Sequence, residues 1–269
     1  WAHTLIKSAG AWDVATGSSQ MVIAVIDSGI DQNHPDLRGR IVTGYDFVDG
    51  DADPEDANGH GTHVSGVAAA VSNNGRGVAG MDWQARIMPI RVLGSDGSGT
   101  NWDVGQGIRW ASRHGAQVLN LSLAGPEDAN HLRDAVQDAD AAGSLLVAAM
   151  GNCRSMDPPR CPFANPIYYP AAYDSVMAVA ATTRTDQQAA YSQYGDHCDI
   201  SAPGGELAFL GDGDGILSTL PSYDGFYLQT AYGYNKDYDY LYGTSMATAY
   251  VSGLASLIWA TDPNLSATQ

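Results

Sequence analysis

Short apolar runs alternate along the chain with stretches of helical period, and this order limits the possible folds more than any other feature. A continuous apolar run of about four to eight residues is typical of a buried strand, and residues 22–26 form one. Further strand candidates are residues 86–93, 118–123, 145–149 and 176–181. The helical stretches are residues 64–71, 102–114 and 131–142. This alternation predicts a doubly wound α/β fold, with a mostly parallel central sheet and helices on both faces. Functional side chains are then expected at the carboxyl ends of the strands.

The composition is consistent with a single domain over residues 1–269, because 44% of the residues are hydrophobic and a chain of this length buries a substantial core. The net charge of −17 argues against nucleic acid and anionic membranes as partners, since both require a basic surface. No run of 18 apolar residues is present, so no membrane-spanning helix is expected. We expect a monomer.

The two ends of the chain and one internal segment depart from the alternating pattern. Trp1 is not a start residue, and the chain stops at Thr268-Gln269 soon after a turn-like sequence. We therefore expect trimming at both ends and a missing last element. Residues 222–242 are rich in Tyr and Asp and lack a core pattern. We expect them to form an insertion of surface loops or hairpins.

The sequence from Tyr242 to Gly253 predicts a buried helix with a serine in its first turn. Gly243 and Thr244 form a sharp approach, and small and apolar residues follow Ser245 as far as Ile258. A hydroxyl there lies near the positive end of the helix dipole, which suits an oxyanion that develops during a reaction. Helix capping alone would explain the same residues equally well.

An aspartate and a histidine elsewhere in the chain complete a set for acyl transfer. Asp27 ends a buried strand, where it could also cap a turn, and His63 is expected to head the helix of residues 64–71. A histidine at a helix start is usually structural, and His60 with His63 could suggest a metal, but no third ligand has a suitable spacing. Together Asp27, His63 and Ser245 supply an orienting carboxylate, a base and a nucleophile.

Four motifs resemble those of the subtilisin family of serine peptidases. They occur in the family's order: Val-Ile-Asp-Ser-Gly-Ile (25–30), His-Gly-Thr-His-Val-Ser-Gly (60–66), Leu-Asn-Leu-Ser-Leu (119–123) and Gly-Thr-Ser-Met-Ala (243–247). The resemblance implies Ser245 as nucleophile, His63 as general base and then acid, and Asp27 as the orienting carboxylate. It also implies that Asn152 donates its amide to the oxyanion. Without the resemblance, an Asn after a Gly would be interpreted as a turn.

The same resemblance implies how a substrate binds. Two segments match those that pair as strands with an extended peptide, and they comprise Gly97, Ser98, Gly99, Ser122, Leu123 and Ala124. Strand addition recognises backbone more than side chains, so polypeptide substrates and broad endopeptidase activity are expected. Ala124 replaces the usual Gly and Cys153 follows Asn152, which leaves the preference of the first pocket open.

One departure from the family pattern motivates two alternative functions. Ala249-Tyr250 replaces the usual Pro-His after the nucleophile. A catalytically weak scaffold or binding module is therefore one alternative, and an esterase or transacylase with the same triad is another. The intact triad residues with Asn152 favour the peptidase over the scaffold, and the peptide-pairing segments favour it over the esterase.

Acidic residues predict a calcium site near the first third of the chain. Five carboxylates fall within ten residues, a repulsive arrangement that a hard cation would relieve. A solvated acidic loop is the alternative, and the pattern is not an EF-hand. The segment resembles the calcium loop of the thermitase branch of the family, which implies these ligands: Asp46, Asp49, Asp51, Asp53 and Glu55.

A second calcium site follows from the resemblance of another loop to the family's strong calcium loop. Its implied ligands are Asp36, Ser72, Asn74, Arg76 and Val78, of which Asn74 would offer its side chain and its neighbours their carbonyls. A weaker cation site around residues 171–176 is implied in the same way. Asp212 and Asp214 would hold an ion or simply be solvated.

Three cysteines leave one odd thiol. By resemblance to secreted relatives, Cys161 pairs with Cys198 and Cys153 stays free, whereas a Cys153–Cys161 bond across a short loop is the alternative. Either bond requires an oxidising compartment, so a secreted protein is expected. The resemblance further implies an inhibitory propeptide as a partner during maturation.

Overall fold

The computed structural model describes residues 1–154, 161, 164–206 and 214–267. Its helices are Ala2–Leu5 (α1), Ser8–Trp12 (α2), His60–Ala69 (α3), Asn101–Arg113 (α4), Asn130–Ala141 (α5), Tyr227–Tyr232 (α6) and Thr244–Thr261 (α7). Its strands are Val22–Asp27 (β1), Tyr45–Asp46 (β2), Arg86–Arg91 (β3), Val118–Leu121 (β4), Leu145–Ala149 (β5), Val176–Thr182 (β6), Ile200–Pro203 (β7), Ile216–Thr219 (β8) and Tyr238–Leu241 (β9).

Seven of these strands form one sheet in the order β2-β3-β1-β4-β5-β6-β7, and every neighbouring pair is parallel. The predicted doubly wound α/β fold is therefore confirmed. The order reverses direction at β1, which lies between β3 and β4. Such a switch point opens a crevice at the carboxyl ends of the strands, where ligands bind.

Helices cover both faces of the sheet and enclose two cores. Ile23 and Val25 of β1 point into the core beneath α3 and α7. Ala24 and Ile26 of the same strand point into the core beneath α4 and α5. Successive side chains alternate between faces, so a central strand covered on both sides is apolar throughout. This explains why continuous apolar runs predicted the strands.

Helix α7 packs closely against α3, and glycine makes the approach possible. A Cβ atom on Gly253 would lie only 2.6 Å from the carbonyl oxygen of Ala68. The helix begins after Gly243, whose φ of 149° is a backbone conformation that other residues rarely adopt. The first turns of α3 and α7 are thus held against the same face of the sheet.

The Tyr-rich insertion contains helix α6 and strand β9. Strand β9 pairs antiparallel with β8, and Thr219 lies opposite Tyr238. The hairpin is tied to α3, because Ser218 Oγ donates to the carbonyl oxygen of His63 and Thr219 Oγ1 donates to that of Thr62. Asp212 lies outside the described residues. In the part of the chain that the structure describes, no helix is long and apolar enough to cross a membrane.

Candidate active site

The carboxylate of Asp27, at the end of β1, holds the imidazole of His60. Nδ1 of His60 lies 2.8 Å from Oδ1 and 3.0 Å from Oδ2 of Asp27. Asp27 is fully buried, whereas 24% of the His60 side chain is exposed. A carboxylate only accepts hydrogen bonds, so the neutral ring carries its proton on Nδ1 and keeps the lone pair of Nε2 available.

A buried carboxylate fixes the backbone that presents His60. Asp56 accepts hydrogen bonds from Ser28 Oγ, from the N–H groups of Asn58 and Gly59, and from both N and Oγ1 of Thr62. Burial raises the pKa of Asp56, although these donors oppose the shift. A negative charge at a helix N-terminus is favourable, so Asp56 stabilises the start of α3.

The structure places His60 against Asp27, and not the predicted His63. His63 lies inside α3 and is fully buried; its Nε2 approaches the carbonyl oxygens of Ile216 and Asp239 at 3.0 and 3.2 Å. Its Nδ1 has no hydrogen-bond partner among the described residues. The helix begins at His60 rather than at His63, so His63 lies three residues inside the helix. The sequence carries a signal for this earlier start, because the residues directly after His60, Gly61 and Thr62, are already small.

Electrostatics distinguish the two histidines in the same way. Burial lowers the pKa of His60, but the charge of Asp27, the hydrogen bond to it and the charge of Asp56 outweigh burial, so the pKa is raised overall. Burial and, to a smaller extent, the charge of His60 lower the pKa of His63 to about 3. His60 is therefore the more basic of the two imidazoles, with a carboxylate behind it, while His63 stays neutral.

Ser245 lies in the first turn of α7 and is bonded to the loop after β4. Its Oγ donates to the carbonyl oxygen of Ser122 at 3.1 Å, and Ser122 Oγ donates to the carbonyl oxygen of Ser245 at 2.9 Å. Asn120 Nδ2 in turn donates to Ser122 Oγ at 2.9 Å. These bonds fix the start of α7 at the carboxyl end of the sheet.

Strand register explains why these residues meet. Val25 of β1 is aligned with Asn120 of β4, so Asp27 and Ser122 both lie two residues beyond aligned positions of neighbouring strands. Ser245 is bonded to Ser122, and His60 is bonded to Asp27. Both pairs are therefore at one edge of the sheet. In this structure the Ser245 hydroxyl donates to Ser122 and not to His60.

Asn152 follows β5 at the same edge, with its amide oxygen already engaged. Oδ1 accepts hydrogen bonds from the N–H and the Oγ1 of Thr244, each at 3.0 Å. The N–H is a donor only, so the oxygen must face Thr244. The Nδ2 group is then free of that contact, beside the helix turn that carries Ser245. A fixed amide donor next to a nucleophile is suited to bind an oxyanion.

The two predicted substrate segments lie on either side of this site. Ser122 contacts Ser245 directly, and Leu123 and Ala124 continue from it toward the surface. Gly97, Ser98 and Gly99 form an exposed loop, in which Gly99 pairs with Leu93. That loop is connected to the residues before His60, because Asn58 Nδ2 donates to the carbonyl oxygen of Ser95 at 2.7 Å. The role of both segments in binding stays a prediction.

An arginine from the end of β3 lies between two carboxylates of the first predicted calcium loop. Arg91 Nη1 lies 2.6 Å from Oδ2 of Asp46 and 2.5 Å from Oδ2 of Asp49. The other oxygen of Asp46 accepts the N–H groups of Val48 and Asp49. Asp51 accepts the N–H of Asp53, and the N–H of Glu55 donates to the carbonyl oxygen of Asp53. The guanidinium supplies a positive charge to Asp46 and Asp49, which are two of the five carboxylates that the sequence pattern assigned to a cation.

The second predicted calcium loop also has protein donors on its carboxylate. Asp36 accepts hydrogen bonds from Asn74 Nδ2, the N–H of Val78 and the hydroxyl of Tyr238. Within the described ranges, no group of three His, Cys, Asp or Glu side chains is placed to hold a metal ion. In the same loop, Ser72 Oγ donates to the carbonyl oxygen of Ala70, and the N–H of Arg76 donates to Oδ1 of Asn74, the side-chain oxygen that the prediction assigned to calcium.

The disulfide joins Cys153 to Cys161, and Cys198 is the free thiol. The predicted Cys161–Cys198 pairing is therefore wrong, and the alternative across a short loop is the one observed. Cys153 is adjacent to Asn152, so the bond anchors the chain directly after the predicted oxyanion donor. Burial raises the pKa of the Cys198 thiol.

Tyr250, which departs from the family pattern, packs away from the triad residues. It is buried, and its ring meets that of His3 edge to face with 5.3 Å between the centroids. His3 is held by Ser8 Oγ and by the carbonyl oxygen of Ala79. The substitution therefore couples α7 to the N-terminal helix α1 and leaves the contacts of Ser245 intact.

Sequence comparisons agree with this geometry. The Subtilase family model matches residues 18–269. Thermitase of Thermoactinomyces vulgaris is 42% identical over 253 residues, which cover 94% of this chain and 79% of that protein. Subtilisin Savinase of Lederbergia lenta is 38% identical over 269 residues, which cover 100% of this chain and 87% of that protein.

Solved structures give the same result. A protease from Pseudoalteromonas arctica aligns with a TM-score of 0.83 and 35% identity, over 96% of this chain and 82% of that chain. A cold-adapted subtilisin-like serine proteinase aligns with a TM-score of 0.75 and 33% identity, over 94% of this chain and 80% of that chain.

Proposed function

Because the chain belongs to the subtilase family and is a serine endopeptidase, we propose that Asp27, His60 and Ser245 are its catalytic triad. The observation that carries the proposal is the hydrogen bond from His60 Nδ1 to Asp27, at the sheet edge where Ser245 is anchored. This bond leaves Nε2 of His60 as the base. The family motifs alone did not distinguish His60 from His63.

The proposed first step is attack by Ser245 on a peptide carbonyl. In this step the Ser245 hydroxyl exchanges its hydrogen bond to the carbonyl oxygen of Ser122 for one to Nε2 of His60. As Oγ bonds to the carbonyl carbon, Nε2 takes the hydroxyl proton and Asp27 stabilises the resulting imidazolium. His60 then gives the proton to the leaving amine, and the C–N bond breaks to leave an acyl-enzyme. Water activated by His60 hydrolyses the ester and restores Ser245.

Asn152 is the proposed side-chain donor to the oxyanion. Thr244 holds the amide oxygen at two points, so Nδ2 is presented without a reorganisation cost. Charge develops on the carbonyl oxygen only as Ser245 attacks, and a fixed donor then stabilises the transition state more than the substrate. One such donor contributes about 3–4 kcal/mol to lowering the barrier.

The proposed substrate is an extended polypeptide that binds between the two predicted segments. Backbone pairing with residues 97–99 and 122–124 favours broad specificity. A secreted location is proposed from the Cys153–Cys161 bond, since disulfides persist in oxidising compartments. Calcium stabilisation has no support from the carboxylates of Asp36 and Asp46, which have protein partners. The inhibitory propeptide and the monomeric state stay predictions.

Labelling with a fluorophosphonate, followed by mass mapping, tests the triad. We expect a single adduct on Ser245 in the folded protein, none after heat denaturation, and none in the folded Ser245→Ala and His60→Ala variants. Absence of an adduct in the folded parent protein would favour the scaffold alternative. The parent protein should also hydrolyse a peptide much faster than the Ser245→Ala variant does. If it hydrolysed simple esters and no peptide, the esterase alternative would be favoured.

A further inference from the structure

The Tyr-rich insertion covers a buried carboxylate, Asp36, which makes no contact with the proposed triad among the hydrogen bonds of the described residues. Asp36 has no exposed surface. Its Oδ1 accepts Asn74 Nδ2 at 2.8 Å, and its Oδ2 accepts the N–H of Val78 at 3.2 Å and the hydroxyl of Tyr238 at 2.9 Å. Both oxygens of this carboxylate are thus bonded to protein donors from three separate positions of the chain.

This arrangement does not suit a calcium ion. Calcium binds six to eight oxygens at about 2.3–2.6 Å, so the predicted site needs the Asp36 carboxylate and the amide oxygen of Asn74 to face the ion. Asn74 instead presents its nitrogen to Asp36, while its oxygen accepts the N–H of Arg76 at 3.0 Å. The N–H of Arg76 is a donor only, which settles the orientation of the amide.

Steric contacts leave little room beside the same carboxylate oxygen. A Cβ atom on Gly77 would lie 2.1 Å from Oδ2 of Asp36 and 2.3 Å from the Tyr238 ring. Gly77 has a φ of +48°, which suits glycine, and it allows the backbone, the carboxylate and the phenol to meet. The phenol therefore occupies the space next to Oδ2.

The insertion is anchored where Tyr238 reaches Asp36. Nε2 of His34 lies 2.9 Å from the carbonyl oxygen of Asp237, and the Tyr238 ring meets the His34 ring edge to face at 5.1 Å. The N–H of Asp36 donates to Nδ1 of His34 at 3.1 Å, which fixes the tautomer. Pairing of Tyr238 with Thr219 in the β8–β9 hairpin adds a backbone constraint.

The earlier part of the insertion docks on the loop before His60. The hydroxyl of Tyr223 donates to the carbonyl oxygen of Asp56 at 2.7 Å. The N–H groups of Tyr227 and Leu228 donate to the carbonyl oxygens of Ala57 and Asn58. The insertion therefore spans from the catalytic loop to the loop of residues 72–78.

We propose that Tyr238 is an internal latch, which stabilises the Asp36 carboxylate and the loop of residues 72–78 in place of a bound cation. The latch is defined by Tyr238, Asp36 and Asn74. It explains why a loop that resembles a calcium loop in sequence occurs together with an insertion that contains Tyr238. The proposal does not depend on the catalytic triad.

Thermal unfolding with and without calcium tests the latch, in a Ser245→Ala background that prevents self-digestion. The variants are Tyr238→Phe, Asn74→Ala and the control Tyr240→Phe, which removes a hydroxyl from the same strand. The Tyr240 hydroxyl makes no hydrogen bond within the described residues. Each protein is melted once in excess calcium chloride and once in excess chelator.

We expect Tyr238→Phe to lower the melting temperature by about 2–4 °C relative to Tyr240→Phe, by the same amount in calcium and in chelator. We expect the difference in melting temperature between calcium and chelator to be the same in Asn74→Ala as in the parent protein, even if another site binds calcium. Loss of that difference in Asn74→Ala would show that the loop holds calcium and would overturn the proposal. Equal melting temperatures of Tyr238→Phe and Tyr240→Phe would overturn it too.

Discussion

The ring of His60 is bonded to Asp27 at 2.8 Å, while the ring of His63, three residues later in the same helix, is bonded to the β8–β9 hairpin. One histidine is at the rim of the sheet with a carboxylate behind it. The other is a buried neutral side chain that joins α3 to the insertion. Substitutions at the two positions should therefore have different effects.

Replacement of His60 by Ala should reduce kcat/KM on a peptide substrate by at least about 10⁴-fold, because the base of the triad is lost. His63→Gln should retain activity within about tenfold, because glutamine keeps a donor for the two carbonyl oxygens. Circular dichroism verifies that both variants fold. If His63→Gln were inactive and His60→Ala retained activity, His63 would be the base.

Removal of the proposed oxyanion donor should reduce the rate and not the affinity. For Asn152→Ala we expect kcat to fall by about 10²–10³-fold with KM little changed, because the amide acts on charge that exists only in the transition state. Steady-state kinetics on one peptide separates the two constants. A raised KM with unchanged kcat would mean that Asn152 binds substrate instead.

The acidic limb of the pH profile should report His60. Asp27 and Asp56 raise its pKa above the ordinary 6.5, in spite of burial. The base works only when neutral, so kcat/KM should fall as the pH drops through the raised pKa, with a midpoint above 6.5. A profile of kcat/KM against pH measures it, and a midpoint well below 6.5 would contradict the assigned environment.

Acid stability should depend on His63. Its pKa is about 3 in the folded protein and 6.5 when unfolded, so the unfolded state binds the proton first as the pH falls. Stability from this group is complete above pH 6.5 and is lost on acidification, by about 2 kcal/mol at pH 5. Urea unfolding at pH 7.5 and at pH 5 measures the loss in the free energy of unfolding. We expect this loss to be about 2 kcal/mol smaller in Ser245→Ala/His63→Gln than in Ser245→Ala. Equal losses would show that His63 does not control acid stability.

The disulfide assignment is testable by mapping. Digestion without reduction should yield a peptide pair linked through Cys153 and Cys161, and Cys198 should be alkylated once the protein is unfolded. Cys198→Ser should leave the melting temperature unchanged. Cys153→Ser should lower stability by about 2–3 kcal/mol, the value expected for a short closed loop. A linked peptide that contains Cys198 would contradict the assignment.

Local patterns in the sequence determined the fold and part of the site. The apolar run of β1 ends at Asp27, and the small residues after Gly243 continue as a buried helix from Ser245, so both positions follow from periodicity and chain order. A central parallel sheet is apolar on both faces, which makes its strands continuous in sequence and therefore visible. The family resemblance rested on the same local motifs.

Only the tertiary structure decided which side chains pair with one another. His60 and His63 share one helix, and packing against β8 and β9 alone buries the second. Cys161 could reach either thiol, and its choice depends on the path of the chain. Tyr238 and Asp36 meet across 202 residues. Such contacts are set by long-range packing and hydrogen-bond geometry, which residue type and spacing do not encode.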